Sequence, residues 1–165
     1  MANIQLTHAP ILNSSAQLLI LPVNTAGILL DPVLTKAKTL FADNYQRYYR
    51  ACRDGSLSVG SCLLQKRMLE QAGLSISSNG NQPSYIANLV VSNHPYHPTR
   101  SQWLIAALND LSEQLIPLIR YQGIRRIALM VRPLTHNHSR NDTDNLCNAA
   151  NLANAGSLAL DWHAD

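Results

Sequence analysis

Ionic side chains are scarce in this 165-residue chain. Only 14% of its residues are charged, and no run of Lys and Arg marks a nucleic-acid groove. Cysteine is sparse too. Cys52, Cys62 and Cys147 are odd in number and far apart, which excludes a disulfide framework and the usual zinc spacings. A reduced, cytoplasmic setting is the resulting expectation. No apolar run approaches the length of a membrane span, no signal-peptide pattern follows Met1, and no repeat or linker divides the chain. One domain over 1–165 is expected, without metal or cofactor, bound neither to membrane nor directly to nucleic acid. Its oligomeric state is left open.

What is present is an ordinary apolar fraction of 46% and a polar remainder rich in Asn, Ser, Gln and Thr. The net charge of +3 mildly favours an anionic ligand, although a slightly basic solvated surface is the preferred reading of it. The most informative stretch is Leu18-Leu-Ile-Leu-Pro-Val-Asn-Thr-Ala-Gly-Ile28. An apolar run that stops at Asn-Thr-x-Gly describes a strand buried on both faces, ending in backbone N–H groups and small polar side chains at a sheet edge.

The rest of the chain alternates in the same way. Ile4 to Leu6 is a short first strand, and Asp31-Pro32 opens a helix with an N-cap and a proline at its first position. Val33, Ala37, Leu40 and Phe41 give that helix its buried stripe. Asn44 to Cys52 is a second helix stopped by Asp54-Gly55, and Val59 to Leu64 is a strand. The stretch from Lys66 to Pro83 reads as a turn or hairpin tip, and Tyr85 to Val91 as another buried strand. After the loop Ser92 to Pro98, Thr99 caps a long helix to about Tyr121, which Pro117 should bend or split. Ile127 to Val131 is a strand, Asp142 or Thr143 caps a helix ending at Gly156, and Leu158 to Trp162 closes the chain. Such alternation implies an α/β fold of three layers, a mostly parallel mixed sheet between helices.

The order of motifs resembles a macro domain, in the branch containing the antitoxin that removes ADP-ribose from DNA. Leu21-Pro-Val-Asn-Thr-Ala-Gly27 resembles the family's Val-Asn-Thr-x-Gly loop. Asn44-Tyr-Gln-Arg-Tyr-Tyr-Arg-Ala-Cys-Arg-Asp-Gly55 is similar to Asn-Tyr-x-x-Tyr-x-x-x-Cys-x-x-Gly. Tyr85-Ile-Ala-Asn-Leu-Val-Val-Ser-Asn-His94, followed by Thr99-Arg100, resembles Tyr-Ile-Ile-Asn-Phe-Pro-Thr with its downstream His and Ser-Arg. Gly123-Ile-Arg-Arg-Ile-Ala-Leu129, then Pro133-Leu134, resembles the strand leading to the second phosphate loop.

Three departures accompany the matches. Where the family has a Gly-Asp-Ile whose carboxylate meets the adenine amine, this chain reads His8-Ala-Pro-Ile11. Asp31 stands about where the branch carries a Lys that contributes to hydrolysis. The second phosphate loop lacks its glycines and reads Leu134-Thr-His-Asn-His-Ser-Arg-Asn141. The resemblance therefore implies a binder of ADP-ribose or a related nucleotide signal, free or on a macromolecule, rather than a hydrolase.

Asn24, Thr25, Gly27, Thr135, Asn137, His138 and Arg140 would surround the phosphates. Arg132, Arg140 and Arg100 can fork onto a phosphate in place of the missing glycine amides, or simply pair with Asp142 and Asp144. His94 is balanced between a ligand role and packing against Tyr96, while His97 leans to packing. An enzymatic alternative is an ADP-ribosyl hydrolase using Asp31 or His136, although Asp31 is more simply a helix cap. The third reading is a protein-interaction module with a vestigial pocket. Tyr45, Tyr48, Tyr49, Trp103, Trp162 and the cysteines read as packing residues.

Overall fold

The computed structural model describes residues 2–67, 83–97, 99–131 and 157–162. Its strands are β1 (Ala2–Thr7), β2 (Leu18–Asn24), β3 (Cys62–Lys66), β4 (Tyr85–Ser92), β5 (Arg126–Met130) and β6 (Ser157–Trp162). The helices are α1 (Pro32–Leu40), α2 (Ala42–Arg53) and α3 (Ser101–Tyr121). The strands form one sheet in the order β1-β6-β5-β2-β4-β3.

β2 and β4 are buried along their whole lengths, as their apolar sequences require. Alternate residues of β2 serve opposite faces. Leu18 and Ile20 join Ala107 and Leu111 of α3, with Ala87, Leu89 and Val91 of β4. Leu19 and Leu21 join Leu34 and Ala37 of α1, with Phe41, Ile86, Ala128 and Met130. The expected three layers are therefore present. Among the described residues parallel pairing holds only at the centre, where β2 lies between β5 and β4. β1, β6 and β3 are added antiparallel, so the sheet is mixed with a parallel heart. β3 and β4 follow one another in the chain and pair as antiparallel neighbours, which need no helical crossover.

Asp31 caps α1 as read from the sequence, its Oδ1 accepting from the Val33 N–H at 2.9 Å. The buried stripe is Leu34, Ala37 and Phe41, with Val33 and Leu40 at its margin. β3 starts three residues later than expected. Gly60, at φ +81°, turns the chain and donates its N–H to the Val90 carbonyl, and Ser61 bonds back to Ser58 before the strand begins. Arg100, not Thr99, occupies the N-cap of α3, its carbonyl accepting from Trp103 and Leu104. Pro117 neither splits nor ends α3. The N–H it lacks would have met the carbonyl of Glu113, which sits on the exposed side of the helix where water can substitute. Trp103 is half-buried rather than core, with the Arg100 guanidinium 4.8 Å above its ring. Among the described residues no helix is long and apolar enough to cross a membrane.

Candidate functional site

α1 leaves β2 on one face of the sheet and α3 leaves β4 on the other. The loops that follow these neighbouring parallel strands therefore diverge, opening a crevice at their carboxyl ends. Open α/β sheets characteristically bind ligands at such a point. A cleft of about 220 Å³ lies there. Pro22, Val23 and Asn24 of β2, with Val91 and Ser92 of β4, form its floor. Ile28 to Asp31 and Leu34 make one wall, while Pro95, Tyr96, His97 and Thr99 make the other. The pairing slips at this edge, from Val23 opposite Val90 to Asn24 opposite Ser92, leaving Val91 as an extra residue. Such a bulge re-aims a strand end.

Asn24 organises the first loop. Its Nδ2 donates to the Ile28 carbonyl at 2.7 Å, and its Oδ1 accepts from the Ala26 N–H at 3.0 Å. The main-chain carbonyl of Asn24 accepts from the Tyr48 hydroxyl of α2 at 2.6 Å. Burial holds the Tyr48 hydroxyl well above the usual phenol range, so it remains a donor. The Cys52 thiol, likewise raised by burial, points at the same carbonyl from 3.7 Å. Gly27 adopts φ +76°, and a Cβ there would stand 3.2 Å from the Tyr49 ring. Asp31 closes the loop as the α1 cap, and Thr35 donates its hydroxyl to the carbonyls of Leu29 and Asp31.

The second loop is tied to the first. Thr25 donates its N–H to the Ser92 carbonyl at 3.1 Å and its hydroxyl to the Asn93 carbonyl at 3.3 Å. Within the loop, the Ser92 hydroxyl bonds the His94 carbonyl, and Nδ1 of His97 lies 2.7 Å from Oδ1 of Asn93. The His94 ring sits 5.4 Å from Tyr96 and 4.9 Å from His97, the packing arrangement weighed from the sequence. Tyr96 itself is 78% exposed on its wall of the cleft, and Ile28 and Leu30 on the other wall are exposed as well.

Of the residues singled out in the sequence, Asn24 and Asp31 line the cleft, and His97 lines it as well. Thr25 and Gly27 shape the loop behind it, and His94 sits within the second loop. Arg100 lies over Trp103 rather than on the cleft walls. Arg132, Thr135, His136, Asn137, His138 and Arg140 lie outside the described residues, as do the helix expected before Gly156 and the turn between Lys66 and Pro83 over residues 68–82. Sequence reasoning missed Tyr48 as a loop anchor. Its spacing of four from Asn44 and from Cys52 was the available signal, because all three then share one helix face. Among the described residues no group of three His, Cys, Asp or Glu side chains is placed to hold a metal ion.

No protein-family model matches the chain. It is 29% identical over 124 residues to the DNA ADP-ribosyl glycohydrolase of Thermus aquaticus, an alignment covering 75% of this chain and 30% of that protein. The chain thus spans under a third of the length of that relative. The macrodomain of Thermus aquaticus DarG superposes with a TM-score of 0.60 at 26% identity, covering 88% of this chain and 85% of its own. The macrodomain of Mycobacterium tuberculosis DarG gives 0.62 at 18% identity, covering 90% of each chain. Thermosipho africanus DarTG in complex with ADP-ribose gives 0.55 at 22% identity, covering 72% of this chain and 30% of that one. The chain has the macro-domain fold, and it resembles the Thermus aquaticus DarG macrodomain in sequence as well as in backbone.

Proposed function

We propose that the cleft binds ADP-ribose or a related nucleotide-derived ligand, free or attached to a macromolecule, and that the chain acts as a binder rather than a hydrolase. The observation that carries this reading is the crevice between the tips of β2 and β4, where two loops cross-linked by Thr25 part to opposite faces. Support comes from the fold it shares with a structure holding ADP-ribose, and from a Thermus aquaticus relative named for ADP-ribosyl hydrolysis on DNA. Apolar walls at Ile28, Leu30 and Pro95 and the exposed Tyr96 ring suit the faces of a base or ribose.

The preference for binding follows from the titratable groups at hand. Asp31, Tyr96 and His97 are the ionisable lining residues of the described cleft, and Asp31 and His97 are engaged in its loops. One oxygen of Asp31 holds the α1 N-terminus, and Nδ1 of His97 holds Asn93. These bonds give Asp31 and His97 structural roles, which favours the binder; a hydrolase would have to use the second Asp31 oxygen or His97 Nε2 as its base.

Calorimetry and thermal melting with ADP-ribose test the reading. At a hundredfold excess over Kd, binding stabilises the folded state by about 2.7 kcal/mol. For a domain of this size that is a rise of roughly 5–10 °C in Tm. No shift with any adenine nucleotide would leave the interaction module standing instead. Release of ADP-ribose from modified DNA or protein, seen by mass spectrometry and lost in Asp31→Ala or His136→Ala, would make the chain a hydrolase.

A further inference from the structure

The α2 face turned to the sheet is unusually polar for a buried surface. Asn44 and Asn88 are both buried, at 7% and 1% exposure, and exchange amide hydrogen bonds of 3.3 and 2.9 Å between α2 and the middle of β4. Asn88 also donates to the Leu63 carbonyl of β3. One turn beyond Asn44 on the same face, Tyr48 reaches the Asn24 carbonyl. A greasy contact lets a helix slide or roll by a fraction of a turn at little cost. A reciprocal amide pair in a dry interior is satisfied in one register alone, since any displacement strands two donors and two acceptors.

We infer that Asn44 and Asn88 are positioning residues for the ligand loop: their amide couple fixes the height of α2, and Tyr48 transmits it to Asn24. The inference rests on the cleft being the ligand site, and it assigns the shape of that site to residues that do not line it. Asn24 then has its carbonyl held from outside while its side chain braces Ala26 and Ile28 from within. The loop is set before a ligand arrives, so affinity is not spent on ordering it.

Replacing both asparagines separates this role from simple stabilisation. In Asn44→Leu/Asn88→Leu the two buried polar partners are removed together by side chains of similar size, an exchange that is often neutral in stability. The double variant should melt near the wild type, bind ADP-ribose about tenfold more weakly, and exchange the Thr25 and Ala26 amide protons faster. Tyr48→Phe should show the same loosening. Combined with the leucine pair it should add little, because both act on one link in series. Wild-type exchange at Thr25 and Ala26 in the leucine pair would overturn the inference, as would fully additive losses with Tyr48→Phe. If the leucine pair does not fold, Tyr48→Phe and Asn44→Ala with their double combination supply the same cycle. Exchange is read without ligand, so it stands even if the wild type binds no ADP-ribose, a result that would sink the binding proposal alone.

Discussion

Asn24→Ala is the sharpest single perturbation of the loop. It removes the 2.7 Å bond to the Ile28 carbonyl and the 3.0 Å bond from Ala26, leaving the Tyr48 hydroxyl its main-chain partner. Each orphaned backbone group costs about 1 kcal/mol where water can reach it and up to about 3 where it cannot. The loop borders an open cleft, so the lower figure applies and the sum is about 2 kcal/mol. For a chain of this length that lowers Tm by roughly 4–8 °C. Affinity for ADP-ribose should fall about tenfold in protein that is still folded, by calorimetry below the transition. Asn24→Asp sharpens the case. It keeps an acceptor for Ala26 and puts a carboxylate oxygen against the Ile28 carbonyl, in a side chain only 6% exposed. The folded state then favours the protonated acid, so this variant loses stability as pH rises through and above the ordinary Asp range of about 3.9. It should melt closer to the wild type at pH 4 than at pH 7. If Asn24→Ala kept wild-type Tm and affinity, the loop would not be organised by that side chain.

Other outcomes follow from the same geometry. Gly27→Ala should cost more than Gly55→Ala in thermal melts. Both positions have positive φ, worth about 1–2 kcal/mol against a side chain, while only Gly27 also meets the Tyr49 ring at 3.2 Å. Asp31→Ala should lose about 1 kcal/mol through the missing cap, and Asp31→Asn much less, with ADP-ribose affinity by titration nearly unchanged in the latter. Burial, aided by the Asp110 carboxylate, pushes the Cys62 thiol up to about 12. Folded protein should therefore resist iodoacetamide at Cys62 at pH 8.5, by peptide mass spectrometry, until denaturant is added. Because the unfolded thiol ionises first, this group withdraws stability as pH climbs past about 8.5.

The parts of the fold legible in the sequence are those set by neighbours in the chain. β2 and β4 announce themselves as uninterrupted apolar runs, and Asp31-Pro32 marks a helix start whatever surrounds it. Features decided by distant partners were not legible. The start of β3 depends on Gly60 reaching Val90, thirty positions on, and Trp103 is drawn out of the core beside Arg100 and the Gly60 turn. The outer strands could not be oriented from composition, because antiparallel β6 looks no different from a parallel strand. At the site, the Asn-Thr-x-Gly loop was readable as a unit. Its internal division of labour was not, since Thr25 turns to Asn93 and Gly27 to Tyr49, contacts that need α2 and β4 in place. Tyr48 carried only a packing signature. That its hydroxyl ends on a carbonyl twenty-four residues earlier depends on how α2 is seated.

The pairing of Ala2 with Trp162 has a practical corollary. β6 runs opposite to β5, whose direction β2 shares, so both of these positions lie at the rim remote from Asn24 and Ser92. A fluorescent tag, surface tether or additional module fused before Ala2 or after Trp162 would hang from the back of the sheet. The mouth of the crevice would stay open to solvent and to any incoming ligand.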